Sequence, residues 1–126
     1  MNDYRFTCQF RFESVRREIL HFKDALGNQS ITQVAILAAF RFKHPTPEQQ
    51  HQGIVVATTH LKAGYEFEEM RGAQARVLVA AVQKFNETFQ WPVVVAGDMN
   101  SEPNGLARPK FIEAGYRSGM LKILAP

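Results

Sequence analysis

Two short polar clusters each follow an apolar, β-branched run: Thr58-Thr59-His60-Leu61-Lys62 and Gly97-Asp98-Met99-Asn100. Their side chains suit the hydrolysis of a phosphate ester. Such a reaction needs donors for the phosphate oxygens, positive charge, and a group that orders water. His60 and Asn100 can donate to phosphate oxygens, and Lys62 supplies a point charge. Asp98, acceptor-only when ionised, can orient or deprotonate a water, or hold a divalent cation through oxygen. Gly97 allows a sharp turn where the strand empties into the cluster. Taken singly these residues say little. A histidine after a strand is most often a surface or satisfied core residue, Asp-x-Asn is most often a turn, and a lone lysine is a solvated charge.

The elements on either side decide whether the clusters can meet. Gln33 to Phe42 (QVAILAAFRF) is nearly all apolar and reads as a buried strand. His44 to Gln52 is a surface loop, and Gly53 to Thr59 (GIVVATT) is a second strand. Phe67, Met70, Val77, Leu78, Ala81, Val82, Phe85 and Phe89 recur at spacings of three and four. They predict a helix from about Phe67 to about Phe89, ended by Trp91-Pro92. Pro92 to Ala96 (PVVVA) is a third strand, followed by a polar loop from Gly97 to Gly105. A short helix opens near Lys110 and stops at Gly115. Arg5 to Phe12 alternates as a weak strand, and Glu13 to Asn28 is ambiguous up to the turn signal Gly27-Asn28. This order predicts an α/β (or α+β) layered fold with the long helix over one face of a sheet. If the second and third strands are neighbours, His60, Lys62, Asp98 and Asn100 converge at their C-terminal ends, where sites of layered α/β proteins tend to lie.

The ordered combination is far more specific than its parts. THL follows a strand, Arg71 and Gln74 follow on a helix, and an apolar strand ends in GDMNSEP (Gly97 to Pro103). This pattern resembles the endonuclease/exonuclease/phosphatase superfamily. QVAILAAF (Gln33 to Phe40), VATTHLKA (Val56 to Ala63), Arg71, Ala73, Gln74 and PVVVAGDMNSEP (Pro92 to Pro103) resemble its nocturnin branch. There the Lys62-Ala63 pair separates that branch from the related carbon-catabolite-repressor type deadenylases. The likeness runs from about Gln33 to about Phe111.

The resemblance implies a four-layer α/β sandwich with two central mixed sheets and Mg2+-dependent hydrolysis of a phosphate ester. The implied substrate is either NADP(H), losing its 2′-phosphate, or poly(A) RNA, shortened from its 3′ end by a deadenylase. By motif position His60 contacts the substrate phosphate, and Lys62 and Ala63 line its pocket. Asp98 orients the attacking water and serves as a metal ligand, and Asn100 binds a phosphate oxygen. Arg71 and Gln74 brace the site from the helix. Three positions depart from the family pattern. Gly64 stands where the family has a basic residue, the loss of a phosphate clamp worth about 1.5–3 kcal/mol as a charged hydrogen bond. Thr32 replaces an asparagine that contributes to the substrate pocket, and Met99 replaces an aromatic. The main Mg2+ ligand of the family is a glutamate on an early strand, and its last catalytic element is an Asp-His pair. Neither is present: Glu13 and Glu18 lack the family's context, and no Asp-His dipeptide follows Asn100. Residues 1–126 therefore read as a partial domain, about the C-terminal half of the sandwich without its last strands. A sheet cut there is expected to leave one face bare, making the chain marginal in stability and prone to aggregate.

Composition fits this reading without carrying it. Fifteen Lys and Arg against 12 Asp and Glu leave a net charge of +3, mildly favourable for an anionic ligand. The single cysteine, Cys8, permits no intramolecular disulfide, and no apolar run approaches the length of a membrane span. These point to a soluble, cytoplasmic chain, any mitochondrial targeting segment lying upstream. Two other readings compete with the enzyme. One is a non-catalytic truncated isoform or decayed paralogue that retains nucleotide or partner binding, favoured by Gly64 and Thr32. The other is a general RNA-binding module, disfavoured because the ten phenylalanines follow apolar stripes instead of alternating with basic residues.

Overall fold

The structure, a computed structural model, describes residues 11–24 and 26–118. Cys8 and most of the expected strand from Arg5 to Phe12 lie outside them. Four strands run in the order β1 (Phe12–Lys23), β2 (Gln29–Phe42), β3 (Gly53–His60) and β4 (Val93–Asp98). The first three pair antiparallel, and β4 pairs parallel to β3. A parallel pair needs a crossover connection. Here it is a 3-10 turn, Tyr65–Phe67, leading into helix α1 (Glu68–Asn86), and a second helix α2 (Ala107–Glu113) follows β4. No helix among the described residues is long and apolar enough to cross a membrane.

The core lies between α1 and one face of the sheet. Alternate residues of the central strands, Ala35, Leu37 and Ala39 on β2 and Val55 and Ala57 on β3, are fully buried there. They meet Ala75, Leu78, Val82 and Phe85 of α1, a stripe at helical spacing. Burying a side chain such as Leu78 is worth about 1.5–3 kcal/mol, and truncating it to alanine costs about 2–5 kcal/mol once the cavity is included.

Several expectations change. β2 begins at Gln29 and not at Gln33, and α2 opens at Ala107 and not near Lys110. The ambiguous segment Glu13 to Asn28 is mostly strand: β1 pairs with β2 along its length, joined by a turn in which Asp24 Oδ1 accepts the N–H groups of Leu26 and Asn28. At the edge of the sheet formed by the described residues, β1 sends Leu20 and Phe22 into or against the core and lays the Arg16 guanidinium over the Phe85 ring, so its charged Arg16-Arg17-Glu18 stretch hides the alternation. The long helix ends at Asn86, well before Pro92. The Asn86 side chain bonds both the N–H and the carbonyl of Trp91, and Gln90 takes a positive φ of 52°. Val77 is half-exposed and stands off the buried stripe. Strand β4 runs on through Gly97 to Asp98, so the polar loop begins only at Met99.

β2 is most deeply buried on the face towards α1; on the other face Ala38 is buried, while its neighbours are more open. On the face away from α1, Ile36 is 45% exposed, its partner Ile19 59%, and Val94 46%. The described residues form one sheet and one helical layer, half of a four-layer sandwich.

Candidate active site

Strands β3 and β4 are hydrogen-bonded neighbours, and their last residues pair with each other: His60 is in register with Asp98. His60 Nε2 lies 3.7 Å from Asp98 Oδ2, with the side chains 71% and 64% exposed. That separation is too long for a hydrogen bond, and it leaves both groups open to a ligand above the sheet end. Gly97 makes the pairing feasible. Its φ is 143°, and a Cβ there would sit 2.0 Å from the carbonyl oxygen of Thr59 on the neighbouring strand.

The loop after β4 folds back onto β3. Asn100 takes a left-handed φ of 47°, a conformation asparagine tolerates. Its N–H donates to Asp98 Oδ1 at 2.9 Å, orienting the carboxylate, and its side-chain Nδ2 donates to the Leu61 carbonyl at 2.8 Å. One Nδ2 hydrogen and the amide oxygen remain for a ligand.

The loop after β3 is held from α1. Gln74, buried, accepts the Lys62 N–H at 3.1 Å and donates to Gln33 Oε1 of β2 at 3.2 Å. Arg71, only 3% exposed, donates from Nη1 to the carbonyls of Lys62 (2.7 Å) and Gly64 (2.6 Å). The Lys62 ammonium sits 4.8 Å from the centre of the Phe67 ring, a cation–π contact that restricts the charge near the strand end. Gly64 has φ 109°, and a Cβ would press at 3.0 Å against Glu66 and Phe67. The loop is thus shaped for glycine, and a basic side chain there would strain it.

His60, Lys62, Asp98 and Asn100 are brought to one end of the sheet, with Arg71 and Gln74 beneath the β3 loop and Ala63 exposed on it. Thr32 is not joined to them. It is exposed at the start of β2 and hydrogen-bonds with Ser30.

Sequence reading passed over Glu68. This first residue of α1 accepts from Arg71 Nε and Nη2, from Ser101 Oγ at 2.9 Å and from the Leu106 N–H at 2.6 Å. The Arg71 hydrogen bonds lead in lowering its pKa from 4.5 to about 2, with further lowering from the Leu106 N–H and Ser101. The signal available was its place three residues before Arg71, the spacing that puts two side chains on one helix face.

Known proteins match the chain in sequence and in fold. No family model matches the chain. Protein angel of Drosophila melanogaster is 33% identical over 103 residues, covering 77% of this chain and 28% of that protein. Nocturnin of Rattus norvegicus is 33% identical over 72 residues, 56% of this chain and 17% of that protein. The chain therefore spans less than a third of the length of these relatives. The human nocturnin catalytic domain, solved with bound sulfate, superposes with a TM-score of 0.68 at 30% identity, over 82% of this chain and 36% of that one. ANGEL2, described as a 2′,3′-cyclic phosphatase in complex with adenosine-2′,3′-vanadate, gives 0.65 at 23% identity, over 84% of this chain and 30% of that one. The likeness is to nocturnin and Angel alike, and together with the mixed sheet and its strand-end motifs it makes the chain a member of the endonuclease/exonuclease/phosphatase superfamily.

Proposed function

We propose that the chain carries one side of a phosphohydrolase site, which removes the 2′-phosphate of NADP(H), acts as a poly(A)-specific 3′ exoribonuclease, or does both. The observation that supports this most is the registered His60–Asp98 pair at two parallel strand ends, with Asn100 folded over it. In this reading His60 and the free Asn100 amide hydrogen donate to phosphate oxygens, and Lys62 adds positive charge. Asp98, turned by the Asn100 N–H, orders the attacking water. The water oxygen bonds to phosphorus, the ester P–O bond breaks, and the leaving hydroxyl takes a proton. For NADP+ the products are NAD+ and phosphate.

Mg2+ is the cofactor proposed for the whole enzyme. The described residues do not form a Mg2+ site by themselves. The ion takes near-octahedral oxygen ligation, whereas among these residues no three His, Cys, Asp or Glu side chains cluster. Asp98 offers one oxygen donor, and no step above is routed through the metal.

A second reading, nucleotide or partner binding without turnover, is favoured by Gly64: the family's basic residue is gone, and the backbone has taken a glycine conformation in its place. Incubation with NADP+ and with an oligoadenylate, with and without Mg2+, separates the two. Phosphate or AMP release that needs metal and is abolished by Asp98→Ala supports the hydrolase and names its substrate. Saturable NADP+ binding with no product under any condition supports the second reading.

A further inference from the structure

The two loops of the site converge on one carboxylate. Glu68 Oε1 accepts from Ser101 Oγ and from the Leu106 N–H, which pins the loop after β4 onto the start of α1. Glu68 Oε2 accepts both arms of the Arg71 guanidinium, whose remaining Nη1 bridges the Lys62 and Gly64 carbonyls of the loop after β3. Gly105 completes the arrangement. A Cβ on it would come within 2.3 Å of both Glu68 Oε1 and Ser101 Oγ, so any side chain there would push one of these groups aside. Among the described residues the two loops also meet directly, through Asn100 Nδ2 to the Leu61 carbonyl and the Leu61 N–H to the Asp98 carbonyl.

We infer that Glu68 is a positioning residue, which clamps the β4 loop directly and the β3 loop through Arg71, so that His60 and Lys62 keep register with Asp98 and Asn100. This rests on the reading that these strand ends carry the chemistry. Glu68 touches no substrate in it. It holds the geometry by a charge-assisted fork on one side and two neutral donors on the other, the kind of second layer that locks a site.

The test is amide hydrogen exchange, followed residue by residue on the chain with no ligand added. Two reporters do not touch Glu68: the Lys62 N–H, bonded to Gln74, and the Asn100 N–H, bonded to Asp98. In Glu68→Ala both are expected to exchange about tenfold faster together, while the Ala35 to Ala39 amides of the core strand keep their rates. Gly105→Ala is the second variant and decides alone if Glu68→Ala does not fold. It keeps the Glu68 charge but displaces Oε1, and both reporters are again expected to speed up. Acceleration at Leu106 or Asn100 without Lys62 overturns the coupling, and so does a uniform rise that includes the core strand. Phosphate release is scored separately, so failure of the hydrolase reading leaves the exchange result standing.

Discussion

Gln74 gives the most direct test of how the helix holds the site. It is 4% exposed and spans two elements, accepting the Lys62 N–H at 3.1 Å and donating to Gln33 Oε1 at 3.2 Å. Replacing it by alanine strands the Lys62 N–H beneath the loop, at about 1–3 kcal/mol for a buried donor without a partner. Gln33 is only half-buried and can turn its amide to water, so that side adds less, about 0–1 kcal/mol. The lost methylene packing adds about 0.8 kcal/mol. The expected loss for Gln74→Ala is therefore about 2–5 kcal/mol, a large share of the about 5–15 kcal/mol that holds a typical domain. Gln74→Met keeps the packing and removes both hydrogen bonds, so it should recover only about 1 kcal/mol. Urea unfolding followed by the fluorescence of Trp91, the single tryptophan, which packs on Phe89, measures both variants. Full recovery with methionine would refute the reasoning, because it would leave the hydrogen bonds with no net role and the loop anchored by packing alone.

Other outcomes follow from the same structure. Glu68 has a folded pKa near 2 against an ordinary 4.5, so its stabilising effect is complete above about pH 4.5 and fades as pH falls towards 2. An acid titration of stability should therefore lose, in Glu68→Gln, part of the slope between those values; an unchanged slope would mean that the carboxylate is not held. Gly97→Ala sets a Cβ against the Thr59 carbonyl, so it should part β3 from β4 and lower the melting temperature by several degrees, about 4 °C for each kcal/mol lost in a chain of this length. A melt within a degree of wild type would contradict the close approach. The open sheet face should bind a hydrophobic dye such as ANS, and the double change Ile36→Thr with Val94→Thr should reduce that binding and the tendency to aggregate without loss of helical ellipticity. Dye binding that stays the same would place the sticky surface elsewhere.

The parts of the chain legible in its sequence are those where burial writes a period. Strands β2, β3 and β4 are β-branched or apolar runs, and α1 carries its stripe through Leu78, Val82 and Phe85. β1 was not legible, because an edge strand with Arg16, Arg17 and Glu18 in its middle shows little alternation. The end of α1 was misplaced because Pro92 is a visible stop signal, whereas the Asn86 bonds to Trp91 depend on the chain turning back. Glu68 reads in a sequence as one more solvated charge at a helix start. Only the fold puts Ser101, Leu106 and Arg71 around it.

By itself the sequence determined the residue types that can handle a phosphate, the ordered motifs that place the chain in its superfamily, and the elements that carry them. It could not determine that His60 faces Asp98, because that depends on β4 pairing parallel to β3 in one particular register after a 19-residue helix. Nor could it separate the two faces of β2: packing against α1 buries Ala35, Leu37 and Ala39, while Ile36 is left open on the other side. The physical reason is the same in both cases. Periodicity reports that a side chain will be buried, but only the three-dimensional pairing of distant segments decides against what.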